Sequence, residues 1–217
     1  MEIVGASRTD SGAHALGQVC HFDTGVPIED AKWPRVLNKV MPDDIAVTEA
    51  EEVAPDFHSR FCAEHRCYRY RIRTAPRDPM ASRYVHDYGR PLNLDKMQEG
   101  AGHLVGEHDF LAFTEELDPS VENTRRKLLS VNVLEVGPEV HIEIVGTAFL
   151  RGMMRRMSGA LLEVGRGHRP PDDIKDLLST KRTQLQWPVV LPAKGLTLVE
   201  IAYGNPPKDN RTASIQA

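Results

Sequence analysis

Cys67-Tyr68-Arg69-Tyr70-Arg71-Ile72-Arg73 alternates an aromatic or aliphatic residue with an arginine. Period two in β-forming residues reads as a strand, because successive side chains point to opposite faces. One face then carries Tyr68, Tyr70 and Ile72, and the other carries Arg69, Arg71 and Arg73. Downstream, residues 128–136 and 139–147 alternate in the same way and are joined at Gly137-Pro138, so they read as a hairpin. Leu196 to Tyr203 reads as a last strand. Upstream, residues 2–7, 16–23 and 45–53 read as shorter strands.

Helical spacing separates these runs. Residues 29–41 place Trp33, Val36, Leu37 and Val40 on one side, with Pro34 tolerated in the first turn. Residues 93–106 turn Met97, Ala101, Leu104 and Val105 inward. Residues 149–165 carry the long stripe Leu150, Met153, Met154, Met157, Leu161 and Val164. Residues 171–179 form a short helix opened by Pro171. Strands and helices mix without a βαβ rhythm. That predicts an α+β fold with a mixed, largely antiparallel sheet. The polar, Pro-rich stretch 75–92 is the best internal boundary, dividing residues 1–90 from 91–204, and 205–217 reads as a disordered tail.

Bulk composition narrows the class. The 217 residues are 41% hydrophobic, enough for one substantial core or two small ones. No apolar run approaches the roughly 20 residues of a membrane span, and no signal segment opens the chain. Three cysteines (Cys20, Cys62 and Cys67) without a C-x-x-C pair read as reduced intracellular thiols. The net charge of −4 hides a separation of sign. Arg60 to Arg90 holds eight arginines against three acids, and Arg151 to Arg169 holds five against Glu163. The acids gather at Asp43 to Asp56 and in a loop from Glu115 to Glu122. A phosphate-binding face on an acidic protein has this pattern, and so does a set of solvated strands.

The chemistry sits at Gly5-Ala6-Ser7-Arg8-Thr9-Asp10-Ser11-Gly12-Ala13-His14-Ala15-Leu16-Gly17-Gln18. Arg8 and Asp10 point the same way if the segment is extended. The glycines permit backbone turns that other residues resist. A carboxylate beside a guanidinium is held in its charged form, which suits a nucleophile or base and not a general acid. A lone Arg-x-Asp is usually a surface ion pair of under about 1 kcal/mol.

The complete string resembles the active-site motif of the TruA family of tRNA pseudouridine synthases. Three further stretches match that family in order. His65-Arg66-Cys67-Tyr68-Arg69-Tyr70 resembles its Ala-Arg-Arg-Tyr-x-Tyr strand. Phe149-Leu150-Arg151-Gly152-Met153-Met154-Arg155 resembles its arginine-bearing helix. Lys194-Gly195-Leu196-Thr197-Leu198 resembles its closing Gly-Leu strand. The resemblance implies Asp10 as the catalytic carboxylate, Tyr68 as the ring on the target uracil, and Arg155 as the partner of Asp10, with Arg8 in support. It implies substrate contacts at Gln18, His14, Arg60, Arg66 and Leu196; for His14 a loop-ordering role is an equal alternative, and for Leu196 a place in the core. It further implies two α+β halves with one joined sheet and uridine isomerisation in the tRNA anticodon arm. No cofactor or metal is implied, and a homodimer is a common assembly.

Family members carry roughly 50 residues before this loop, so the N-terminal half is expected to be incomplete. The alternative function is therefore a catalytically impaired or inactive RNA-binding remnant of the same family. The expected compartment is cytoplasmic or nuclear, or mitochondrial if a presequence precedes Met1. Cys62-x-x-His65-x-Cys67 lacks a fourth ligand and a zinc spacing. A carboxylate hydrolase would need a second acid near Asp10, and none is evident.

Overall fold

The computed structural model describes residues 2–114, 123–179 and 188–204. The acidic loop 115–122 and the tail 205–217 lie outside the described residues. Strand β4 (His65–Arg73) is the centre of a sheet. The hairpin β7 (Arg125–Val136) and β8 (Glu139–Gly146) joins one edge of β4 through β8, and β9 (Leu196–Ala202) joins the other; both contacts are antiparallel. Beyond β7 lies β6 (Gly106–Asp109). Beyond β9 lies β2 (His14–Ala15), which runs parallel to it. A short β5 (His86–Asp87) adds parallel to the end of β4. A separate two-stranded ribbon pairs β1 (Val4–Gly5) with β3 (Cys20–His21). The fold is α+β with a mixed, mostly antiparallel sheet.

The period-two reading of β4 explains the layer arrangement. Tyr68, Tyr70 and Ile72 are buried and lie across from Ile144, Ile142 and Val140 of β8. That face is covered by α2 (Leu94–Leu104) and α3 (Met153–Gly165), whose buried stripes include Met97, Ala101, Leu104, Met153, Met157, Leu161 and Val164. Asn93 caps α2 by accepting from the Lys96 amide at 2.9 Å. A short α4 (Asp173–Ser179) closes the same layer with Ile174 and Leu177. α3 begins at Met153 and not at 149, because Gly152 adopts a left-handed φ of 70° at its N-cap.

The other face of β4 corrects the idea of a free cationic surface. Arg69 lies 2.6 Å from Glu143, and Arg71 grips Glu139 with two bonds of 2.8 and 2.9 Å. His141 adds a third contact to Glu139 at 2.9 Å. Arg73 donates to the Pro76 carbonyl. Arg69 and Arg71 thus pair across the sheet with acids about 70 positions away, so a count of local charge overstates the free cations. Burial opposes ionisation of Glu139, but hydrogen bonds from His141 and Arg71 overcome it and hold the carboxyl down at about 2. Burial, reinforced by Glu143, pushes the Cys67 thiol up to about 12.

The N-terminal stretch is thinner than its pattern suggests. Among described residues 2–64, Ala6 is the only buried hydrophobic one. The helix expected over 29–41 shortens to a 3₁₀ turn at Asp30–Lys32 followed by α1 (Trp33–Leu37). No strand forms over 45–53. Instead the Asn38 side chain holds the backbone of Val47 at both ends, and Asp30 accepts from the Glu52 amide. The apolar residues there find no neighbouring strand against which alternation could act.

Candidate active site

A β-turn places Asp10. The Ala13 amide donates to the Asp10 carbonyl at 3.0 Å, and Gly12, third in the turn, has φ 84°. That conformation favours glycine. The loop on either side is tied to the sheet. His14 and Ala15 pair with Thr197 and Leu198, and the Leu16 amide donates to the Leu198 carbonyl at 2.8 Å. A Cβ on Gly17 would overlap the backbone of Val199, so only glycine lets the chain lie this close.

Across from the turn, Arg155 of α3 donates through Nη1 to Asp10 Oδ2 at 2.9 Å. Its Nε donates to the Leu191 carbonyl at 2.6 Å. The guanidinium is therefore braced on one side and complements the carboxylate on the other. One helical turn along, a Cβ on Gly159 would collide with the Val189 carbonyl. The bare glycine thus seats segment 188–192 on α3, and that segment supplies the oxygen that braces Arg155. It also supplies the Pro192 carbonyl that accepts from the Tyr70 hydroxyl at 2.7 Å.

Tyr68 is 5% exposed, with its hydroxyl 2.7 Å from the Ser7 hydroxyl and its ring edge-on to Phe149 at 5.1 Å. Burial pushes its phenol above the ordinary value, against the Ser7 bond and the Arg66 charge; the negative charge of Asp10 adds to the rise. The phenol stays neutral near pH 7 and can hold or pass a hydrogen bond. Asp10, with its side chain 29% exposed, is locked at one oxygen yet open to a substrate. The arrangement offers an oriented anion, a neutral phenol and an apolar wall.

Comparison with known proteins places the chain in a family. A family model described as tRNA pseudouridine synthase matches residues 101–204. A tRNA pseudouridine synthase A from Limosilactobacillus fermentum is 42% identical over 207 residues, covering 94% of this chain and 80% of that protein. One from Thermus thermophilus is 44% identical over 202 residues (92% and 79%), and one from Bacillus pumilus 39% over 204 (94% and 82%). The chain belongs to the tRNA pseudouridine synthase A family. This is a family of isomerases.

Several residues expected at a tRNA pseudouridine synthase site have other engagements. Arg8 is exposed and, among the described residues, forms no ion pair with Asp10. Gln18 donates to the Ser7 carbonyl at 2.6 Å and accepts from the Ser7 and Val19 amides, so its amide fastens the loop that holds Ser7 under Tyr68. Arg66 is buried and donates to the carbonyls of Arg60, Ala63 and Thr147. Burial draws its pKa below the ordinary value. Its guanidinium satisfies loop carbonyls that no strand reaches, which is a scaffold role. Arg60 keeps an exposed side chain. His14 contacts the carbonyl of Arg83 at 3.0 Å, and Leu196 is buried opposite Tyr70. Sequence reading missed Ser7, Gln18 as a clamp, and Gly159. The small residues in Ser-Gly-Ala at 158–160 were the available signal for a close approach.

Proposed function

We propose that this chain isomerises uridine to pseudouridine in tRNA, within the anticodon arm, with Asp10 as the acting carboxylate. The observation that supports it most is the Asp10–Arg155 contact between residues 145 positions apart, with Tyr68 and Ser7 beside it. The reaction breaks the bond from C1′ to N1 of the base, turns the base, and forms a bond from C1′ to C5. The hydrogen on C5 leaves to solvent. No electron is gained or lost, and no co-substrate is consumed.

Three routes use a carboxylate in this setting. It can attack C1′, add to the uracil ring, or remove the 2′ proton to give a glycal. In each, Arg155 fixes the rotamer of Asp10 and complements its charge. In each, the target nucleotide must leave its stack and enter a hollow that keeps the freed base from water. Tyr68 and Phe149 supply an apolar edge for that base.

Tritium release from tRNA labelled at uridine C5 tests the reading. We expect release by the wild-type chain and a loss of at least about a thousandfold for Asp10→Asn. Equal release by Asp10→Asn, with unchanged melting, would overturn it. Binding of tRNA without release by the wild type would favour an RNA-binding role alone.

A further inference from the structure

The stretch 75–92 turns back against the loop that carries Asp10. Val85 is fully buried, and β5 continues the ladder of β4 at Ile72 and Arg73. Lys194 donates to the Ser82 carbonyl at 2.9 Å and lies 3.4 Å from Asp87. His14, four residues beyond Asp10, holds the Arg83 carbonyl at 3.0 Å. These anchors fix the backbone on both sides of Tyr84, whose own amide closes a turn onto Ala81.

The Tyr84 ring rests on the imidazole of His14, with centroids 4.7 Å apart and planes tilted by 48°. The residue is nevertheless 45% exposed. Its hydroxyl makes no hydrogen bond among the described residues. Next to it, Arg83 is exposed and has no ion-pair partner among the described residues. A phenol ring braced from behind by a second ring, beside a free guanidinium, is suited to stack on a base and meet a phosphate.

The geometry points to Tyr84 as a stacking platform for the nucleobase adjacent to the isomerised uridine, with Arg83 beside it for the RNA backbone. The inference rests on the tRNA-isomerase reading above. Pulling one nucleotide from a helix or loop strips its neighbour of a stacking partner. The aromatic face of Tyr84, held by His14 four residues beyond the reacting carboxylate, replaces that partner. His14 then acts as a positioning residue: it sets the loop and backs the ring.

The test compares wild type with Tyr84→Phe, Tyr84→Trp and Tyr84→Leu on one tRNA transcript. Tritium release gives kcat and KM, and filter binding gives Kd. The uridine converted by the wild type is mapped first, and 2-aminopurine is then placed on each side of it. We expect Phe and Trp to keep KM and Kd within about twofold. Leu should raise both by about tenfold with kcat little changed. Quenching of 2-aminopurine on one side should survive in Phe and vanish in Leu. Wild-type binding and quenching by Tyr84→Leu would overturn the inference. So would a fall in kcat with unchanged Kd, or equal losses in Phe, Trp and Leu. A wild-type chain that binds but never releases tritium would sink the isomerase reading, and the effect of Tyr84→Leu on Kd would still judge the platform.

Discussion

Residues 2–64 and residues 65–204 are built to different standards. The second region buries nearly the whole core, with Tyr70, Ile72, Ile142, Ile144, Met153 and Met157 at its heart. The first carries Asp10 but exposes Ile3, Leu16, Val26, Val40, Ile45 and Phe61. It is held by polar joints and ring contacts. Ser59 donates to the Val4 carbonyl and meets His21, Tyr203 donates to the Ser59 carbonyl, and Phe57 packs on Tyr203 at 5.1 Å. Around Asp10 the order is borrowed from the other region, through Arg155, the β2–β9 ladder and the Ser7–Tyr68 bond. The proposed chemistry and the stability therefore reside in different parts of the polymer and meet along one seam.

Hydrogen exchange would expose the contrast most strongly. Amides of β4 and β8 should exchange only through global opening, and those of 24–57 through local opening, several orders of magnitude faster. Equal protection in both would erase the distinction. Substitution at the seam comes next. Gly159→Ala should push segment 188–192 off α3, cost about 2 kcal/mol of stability, and lower kcat about tenfold by unbracing Arg155. Loss of stability with unchanged kcat would show that the brace does not matter to turnover. The smallest effect lies far from the seam, at Glu139. Its carboxyl is held at about 2 in the fold, below its ordinary 4.5. The stability it contributes is fully present above that ordinary value and is lost as pH falls through the folded one. Glu139→Gln should weaken the fold at neutral pH and flatten the acid-unfolding curve between about 4.5 and 2, with tritium release per folded molecule unaltered. An unchanged acid limb would count against the pairing.

What could be read from the sequence follows the same division. Where a periodic run lies in the packed region, its element formed. The alternation of 67–73, the hairpin about Gly137-Pro138 and the stripe from Met153 to Val164 all stand in the fold. Where the packing is thin, period alone did not suffice, as at 45–53. Long-range pairing stayed hidden for a related reason. Nothing in Arg69 or Arg71 announces Glu143 or Glu139, since only the register of β4 on β8 makes them neighbours. The same holds for Arg66 and Gln18, whose residue types suggest substrate contacts while the backbone around them demands donors and acceptors. Ordered motifs named side chains that the fold brings together at Asp10, but they did not separate those open to a ligand from those that brace the loop.

The parallel pairing of His14 with Thr197 makes the site intolerant of sliding. A strand advances about 3.3 Å per residue. A slip of one position along β9 would carry the carboxylate by more than the 2.9 Å that separates it from its guanidinium, and would turn the flanking side chains to the wrong face. The last described strand is thus the ruler against which the loop of Asp10 is measured.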